Sequence, residues 1–207
     1  MRIAIDFSEI SNLGQIEIAK TTSNIEALKQ LSESQDYKIR VAVASNKHTP
    51  KKILAQLAQD VDTAVVTAVA ENPNTSKTVL MALSKSYSSS VGIVLANNPR
   101  TPIDAFPRLS KHPDPEVREA IAKNPRTPAS VLSKLANDGV ERVALAVANN
   151  PNANEAVFEK LAFCKHTKVK CLIAENPNTS AEILTKMAKD QSRAVKTSVA
   201  ENPNTPA

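Results

Sequence analysis

The chain has 207 residues, 42% of them apolar and 23% charged, with a net charge of +5, so it can bury a sizeable core and does not have the composition of a disordered tail. Trp is absent and Gly numbers only three; with Gly14, Gly92 and Gly139 so far apart, no phosphate-cradling loop, dinucleotide fingerprint or Gly-x-Ser-x-Gly elbow can be written. Two cysteines, Cys164 and Cys171, give neither a disulfide framework nor a zinc ligand set, Asp6 and Glu9 interrupt any signal sequence, and no run approaches the roughly 18 apolar residues of a membrane span. The expectation is a soluble, reduced, cytoplasmic protein with no cofactor.

In chain order, residues 1–36 come first as an N-terminal capping segment. Leu28 and Leu31 stand 26 residues before Leu54 and Leu57, which makes this segment a degenerate repeat. Residues 37–207 then hold about six and a half repeats, punctuated by Asn46, Asn72, Asn98, Asn124, Asn150, Asn176 and Asn202, each 26 residues apart. Ala lies two residues before each Asn, Pro usually follows it, and Thr comes three residues later in all but one copy. Ten of the 13 prolines fall into the two Pro columns of this frame.

Each copy predicts two short helices. In the first, the column of Ile39, Val65 and Val117 and the column of Val43, Val69 and Ile121 are four residues apart, which makes one buried stripe. The Ala column, Ala44 through Ala200, predicts close approach of a neighbouring backbone. Asn is expected to end the helix in the left-handed conformation, and Thr to restart the chain as an N-cap with Pro at the first helical position, as in Thr127-Pro128. Thr179 with Glu182 reads as a capping box. The second helix buries pairs such as Val131-Leu132 and Leu135-Ala136.

A helix pair of this size cannot bury its stripe alone, so the copies must stack. The fold class is all-α, an α-solenoid, and seven units about 10 Å thick would make it elongated, roughly 70 Å long. The last copy stops at Thr205-Pro206-Ala207, where a second helix should begin, and end-to-end self-association through that incomplete repeat is one expectation.

The pattern V-R-x-A-[IV]-A-x-N-P-x-T-P-x-x-[VL]-L-x-x-L-A, clearest from Val117 to Ala136, resembles the variant leucine-rich repeat family of bacteria over about residues 37–207. The resemblance implies a right-handed superhelix in which α-helices alternate with 3-10 helices, without strands. HEAT-like arrays are the nearest alternative. That family's iron-sulfur centre is not carried over, because no Cys precedes Cys164.

Few residues stand out for chemistry. Asn in a helix-ending position can satisfy backbone groups of its own repeat or the next, so the Asn column reads as structural. Cys164, His166 and Cys171 lack a fourth ligand for zinc. His48 and His112 have no repeated acid or nucleophile beside them. Phe106 and Phe158 share the Leu132 column and read as core, whereas Phe163, in a column of polar residues, is either an exposed contact or a local repacking. Ser84–Ser90 reads as an inter-helix loop with Ser90 as N-cap.

Charge is unevenly spread: residues 1–36 carry 3 bases and 6 acids, and residues 37–207 carry 23 and 15. On a helical wheel, Arg108, Lys134, Lys160 and Lys186 form one exposed column of the second helices, and Lys85, Lys111 and Lys189 another. Stacking makes them a basic ridge, with lysine near helix C-termini as the plainer electrostatic reason. The sequence therefore points to a non-catalytic scaffold binding an acidic protein, with binding of a nucleic-acid backbone as the alternative.

Overall fold

The computed structural model describes residues 6–206, and these contain fifteen α-helices, one 3-10 helix and no strand. Contacts divide the chain into two units, Met1–Ala105 and Phe106–Ala207. The first unit holds α1 (Asn12–Thr21), α2 (Ile25–Leu31), α3 (Tyr37–Ser45), α4 (Lys51–Leu57), α5 (Thr63–Glu71), α6 (Lys77–Leu83), α7 (Ser89–Asn97) and η1 (Ile103–Ala105). The second holds α8 (Phe106–Leu109), α9 (Pro115–Lys123), α10 (Ala129–Leu135), α11 (Glu141–Ala148), α12 (Glu155–Ala162), α13 (Thr167–Glu175), α14 (Ala181–Met187) and α15 (Arg193–Glu201).

Each unit is a stack of two-helix repeats, the architecture of an α-solenoid. The first helices pack side by side, α1 on α3, α3 on α5 and α5 on α7 in one unit, α9 on α11, α11 on α13 and α13 on α15 in the other. The second helices approach one another less closely. Both apolar columns of the first helices are buried throughout, from Ile39 and Val43 to Val195 and Val199. Each such side chain contributes about 1.5–3 kcal/mol against exposure. The Ala column is fully buried at Ala44, Ala70, Ala122 and Ala174, on first helices that pack side by side. Phe106 and Phe158 are buried too, and the Arg126 guanidinium sits 5.8 Å from the Phe106 ring centroid.

Several local expectations are corrected. The second helices are short α-helices rather than 3-10 segments: Leu54 N–H bonds the Pro50 carbonyl at 3.1 Å and Ala58 N–H the Leu54 carbonyl at 2.9 Å, both four residues back. Among the described residues only Ile103–Ala105 is 3-10, just before Pro107, which has no N–H to give to the Ile103 carbonyl. Asn46, Asn72, Asn98, Asn124, Asn176 and Asn202 cap their helices in the extended conformation rather than the left-handed one, as at Asn46 with φ −70° and ψ 124°, and no residue among those described has positive φ. Thr is not the N-cap. That position belongs to the next residue, Pro50, Ser76, Pro128 or Ser180, so the cap paired with Ile183 N–H is Ser180 rather than Thr179. Ser88, not Ser90, caps α7.

Candidate functional site

The repeated polar residues are consumed by the stack. Asn72, 2% exposed, donates from Nδ2 to the Ala44 carbonyl at 2.6 Å and the Asn46 carbonyl at 2.9 Å, while its Oδ1 accepts Asn74 N–H at 2.8 Å. The same three bonds recur at Asn150, toward Ala122, Asn124 and Asn152, and at Asn202, toward Ala174, Asn176 and Asn204. Asn46 reaches back to Ala19 and Thr22, and Asn98 to Ala70. One amide thus caps the orphan carbonyl of the preceding first helix and holds its own turn as an Asx-turn. Thr then closes the last turn of its own helix, Thr49 donating to Val43, Thr127 to Ile121 and Thr179 to Ile173, each at 2.6 Å. The extended backbone at Asn is what aims the amide at the neighbouring repeat.

Two further ladders escaped the sequence reading. Asn74, Asn152 and Asn204, two residues after the main Asn column, each bridge two carbonyls of the preceding turn. An ionic clamp joins residues 20 apart. Arg40 Nε donates to Asp60 at 2.7 Å, Arg118 Nε to Asp138 at 2.7 Å and Lys170 Nζ to Asp190 at 2.6 Å. Arg40 and Arg118 also donate from Nη1 to two carbonyls of the preceding loop, Ser34 and Gln35 in one case and His112 and Pro113 in the other. The Arg40 hydrogen bond holds the Asp60 carboxyl below its ordinary pKa, and the Lys170 bond does so for Asp190. For Asp138, burial works the other way, but Arg118 and the Val140 N–H outweigh it. The signal was present in the sequence. Where the Asp is replaced by Ser86 or Cys164, the residue 20 before it is Val66 or Ala144.

The remaining candidates form no catalytic constellation. Cys164 Sγ faces the His166 carbonyl at 3.6 Å, and burial pushes its thiol pKa up, which disfavours the nucleophilic thiolate. His166 Nε2 lies 3.2 Å from the Asp138 carbonyl and its Nδ1 3.9 Å from Glu141. His112 is buried and accepts Asp114 N–H at Nδ1, so its proton sits on Nε2, which has no partner among the described residues. Among these residues no three His, Cys, Asp or Glu side chains are placed to share a metal. Two shallow depressions lie over first helices. One, about 420 Å³, is bordered by Glu71, Ile93, Val94, Asn97 and Arg100; the other, about 290 Å³, by Glu119, Lys123, Arg142, Leu145 and Asn149. In the second, Glu119 already pairs with Lys123 at 2.6 Å and Arg142 at 3.2 Å.

All seven ridge residues, Lys85, Arg108, Lys111, Lys134, Lys160, Lys186 and Lys189, are exposed. Their charges are not equally available. Lys186 pairs with Glu182 and Glu159, both at 2.9 Å, and these two carboxylates hold its ammonium pKa above the ordinary value. Lys160 donates to the Ser133 carbonyl at 3.2 Å. In the second unit Arg108, Lys111 and Lys134 form no ion pair among the described residues.

No family model matches the sequence, and no curated protein matches it either. The chain is similar in structure to a leucine-rich repeat variant described as having a novel repetitive structural motif. The TM-score is 0.73 at 21% identity, covering 94% of this chain and 78% of that one. At this identity the likeness shows the fold: a repeated all-helical solenoid. An engineered protein also aligns, with 18% identity over 94% of this chain and 90% of its own, but at a TM-score of 0.29.

Proposed function

We propose that this protein is a non-catalytic repeat scaffold that binds an acidic segment of a partner protein along the exposed second helices. One observation carries the reading. The polar groups that recur every 26 residues are spent on bonds between and within repeats, as at Asn72, Thr75 and Asp138, so what the stack offers outward is helix surface. In the second unit Arg108 and Lys134 on that surface and Lys111 in the turn after α8 form no ion pair among the described residues, and such a group of bases attracts anionic chains by long-range field.

Fluorescence anisotropy tests this with two labelled probes, a poly-glutamate peptide and a 20-nucleotide single-stranded DNA. The peptide should bind at 50 mM salt, and Arg108→Glu with Lys134→Glu should weaken it about tenfold or more. Lys47→Glu with Lys77→Glu, equal in charge but off the two ridge columns, should weaken it far less. DNA binding tighter than peptide binding would replace the protein partner with a nucleic-acid backbone, whose affinity falls steeply with salt. No binding of either probe would end the electrostatic reading.

A further inference from the structure

The edge where second helices turn into first helices carries an unequal surface. In the last two repeats this edge runs through 163–170 and 189–196, and it holds six bases, Lys165, Lys168, Lys170, Lys189, Arg193 and Lys196. Lys170 is consumed by Asp190, the one acid of those two segments, and Lys168 lies 3.8 Å from Glu141. Lys165, Lys189 and Arg193 are exposed and form no ion pair among the described residues. The corresponding edge of the first unit, 59–66 and 85–92, has Lys85 against Asp60 and Asp62. The fold does not ask for these bases. At the Lys165 register other repeats place Val61, Tyr87 and Gly139, and at the Arg193 register Thr63, Ser89 and Thr167.

Phe163 belongs to the same edge. It ends α12, is 58% exposed, and shares the register of Gln59, Lys85, Asn137 and Lys189, so packing does not explain its aromatic ring. Lys165, two residues on, lays its Nζ 3.7 Å from where a side chain on Gly139 would begin, an ordinary van der Waals distance, so its ammonium lies beside the preceding repeat. Arg193 and Lys189 follow one repeat further along, about one helix diameter away.

We propose that this edge docks an acidic peptide segment of a partner protein that carries an apolar side chain, with Phe163 receiving the apolar group and Lys165, Lys189 and Arg193 the carboxylates. The inference rests on the scaffold reading above and assigns it a second, specific contact. In protein interfaces a few anchoring residues supply most of the affinity, and the charge excess of this edge selects acidic chains over basic ones.

The test uses the full chain and a labelled twelve-residue glutamate-rich peptide with one central Trp, beside the same peptide with Ala in its place. The Trp peptide should bind about fivefold or more tightly than the Ala peptide, and Phe163→Ala should erase that difference while leaving Ala-peptide binding unchanged. Lys165→Glu with Arg193→Glu should weaken both peptides about tenfold at 50 mM salt, with unaltered helical circular dichroism. Equal binding of the two peptides to wild type, or a Trp preference that survives Phe163→Ala, overturns the proposal. So does a labelled single-stranded RNA that outcompetes both peptides in a Phe163-dependent manner. If the edge variants leave binding intact and Arg108→Glu with Lys134→Glu abolishes it, the edge inference fails and the scaffold reading stands. If neither peptide binds wild type, both fall.

Discussion

Replacing Asn72 by Ala isolates the ladder that joins consecutive repeats. The change removes two donated bonds and one accepted one from a residue that is 2% exposed. The losses are unequal. The Asn46 carbonyl keeps the Thr49 N–H at 3.0 Å, and Asn74 is only half-buried, so water can reach its N–H. Ala44 is fully buried, and its carbonyl, in the last turn of α3, depends on the Asn72 amide. An orphaned buried carbonyl costs about 1–3 kcal/mol, and the remaining bonds add about 1 kcal/mol net. The expected destabilisation is therefore about 2–4 kcal/mol.

Urea unfolding followed by circular dichroism at 222 nm measures it, with Asn97→Ala as control. Asn97 is exposed and bonds only the Ile93 carbonyl of its own helix, so its change should stay within about 0.5 kcal/mol. Asn72→Asp should be worse than Ala at pH 7, since a carboxylate would face two carbonyl oxygens. That buried carboxyl would have a raised pKa, so its excess penalty over Ala should shrink as the pH falls and the protonated acid regains a donor. Equal midpoints for Asn72→Ala and Asn97→Ala would refute the ladder as the coupling element.

The ionic clamps give a pH signature. The carboxyls of Asp60, Asp138 and Asp190 have folded-state pKa values below their ordinary ones, so their contribution is full above about pH 5 and is lost as the pH falls through the folded values; Asp60→Asn should flatten the acid limb of a melting-temperature profile. Val66→Arg with Ser86→Asp transplants the clamp into a repeat that lacks it, since Ser86 already accepts Ser88 N–H as Asp60 accepts Asp62 N–H. A double-mutant cycle should show favourable coupling of about 0.5–2 kcal/mol, and zero coupling would mean the 20-residue offset is incidental. Ala122→Leu, at a fully buried position, should cost about 1–3 kcal/mol by overpacking, whereas Ser130→Leu at an exposed position should be nearly neutral; matching urea midpoints would contradict the close approach of first helices.

The stack was legible in the sequence because its cause is periodic. A buried column such as Val65, Val117 and Val169 shows itself by recurring, and so did the structural role of Asn. The direction of the Asn side chain was not legible. Capping preference alone suggested a left-handed residue, but an extended backbone lets Nδ2 reach a carbonyl 28 residues earlier, a bond that exists only once two repeats are side by side. Helix type depended likewise on tertiary detail: Pro107 yields a 3-10 turn in one repeat while its counterpart Ser133 sits in the ordinary α-helix α10. The ridge marks the limit of a helical wheel. It identified Lys186 as outward-facing, but Glu159 and Glu182 come from the preceding repeat and from the same helix, and only packing shows that they pair with it.

Residues that recur answer to the stack, and their chemistry is largely used up by it. Asn72 and Asn150 bond carbonyls, Thr75 and Thr127 close helices, Asp60 and Asp138 hold arginines. Selection on folding alone accounts for them. It does not account for an exposed Phe163 in a column of polar residues, or for Lys165 and Arg193 where other repeats place Val61 or Thr63. In a repeat protein the departures from the period are where partner recognition can be written without weakening the stack, because surface substitutions there cost within about 0.5 kcal/mol. That separation makes Phe163→Ala informative. It should leave the unfolding midpoint where it was and change only what the last two repeats bind.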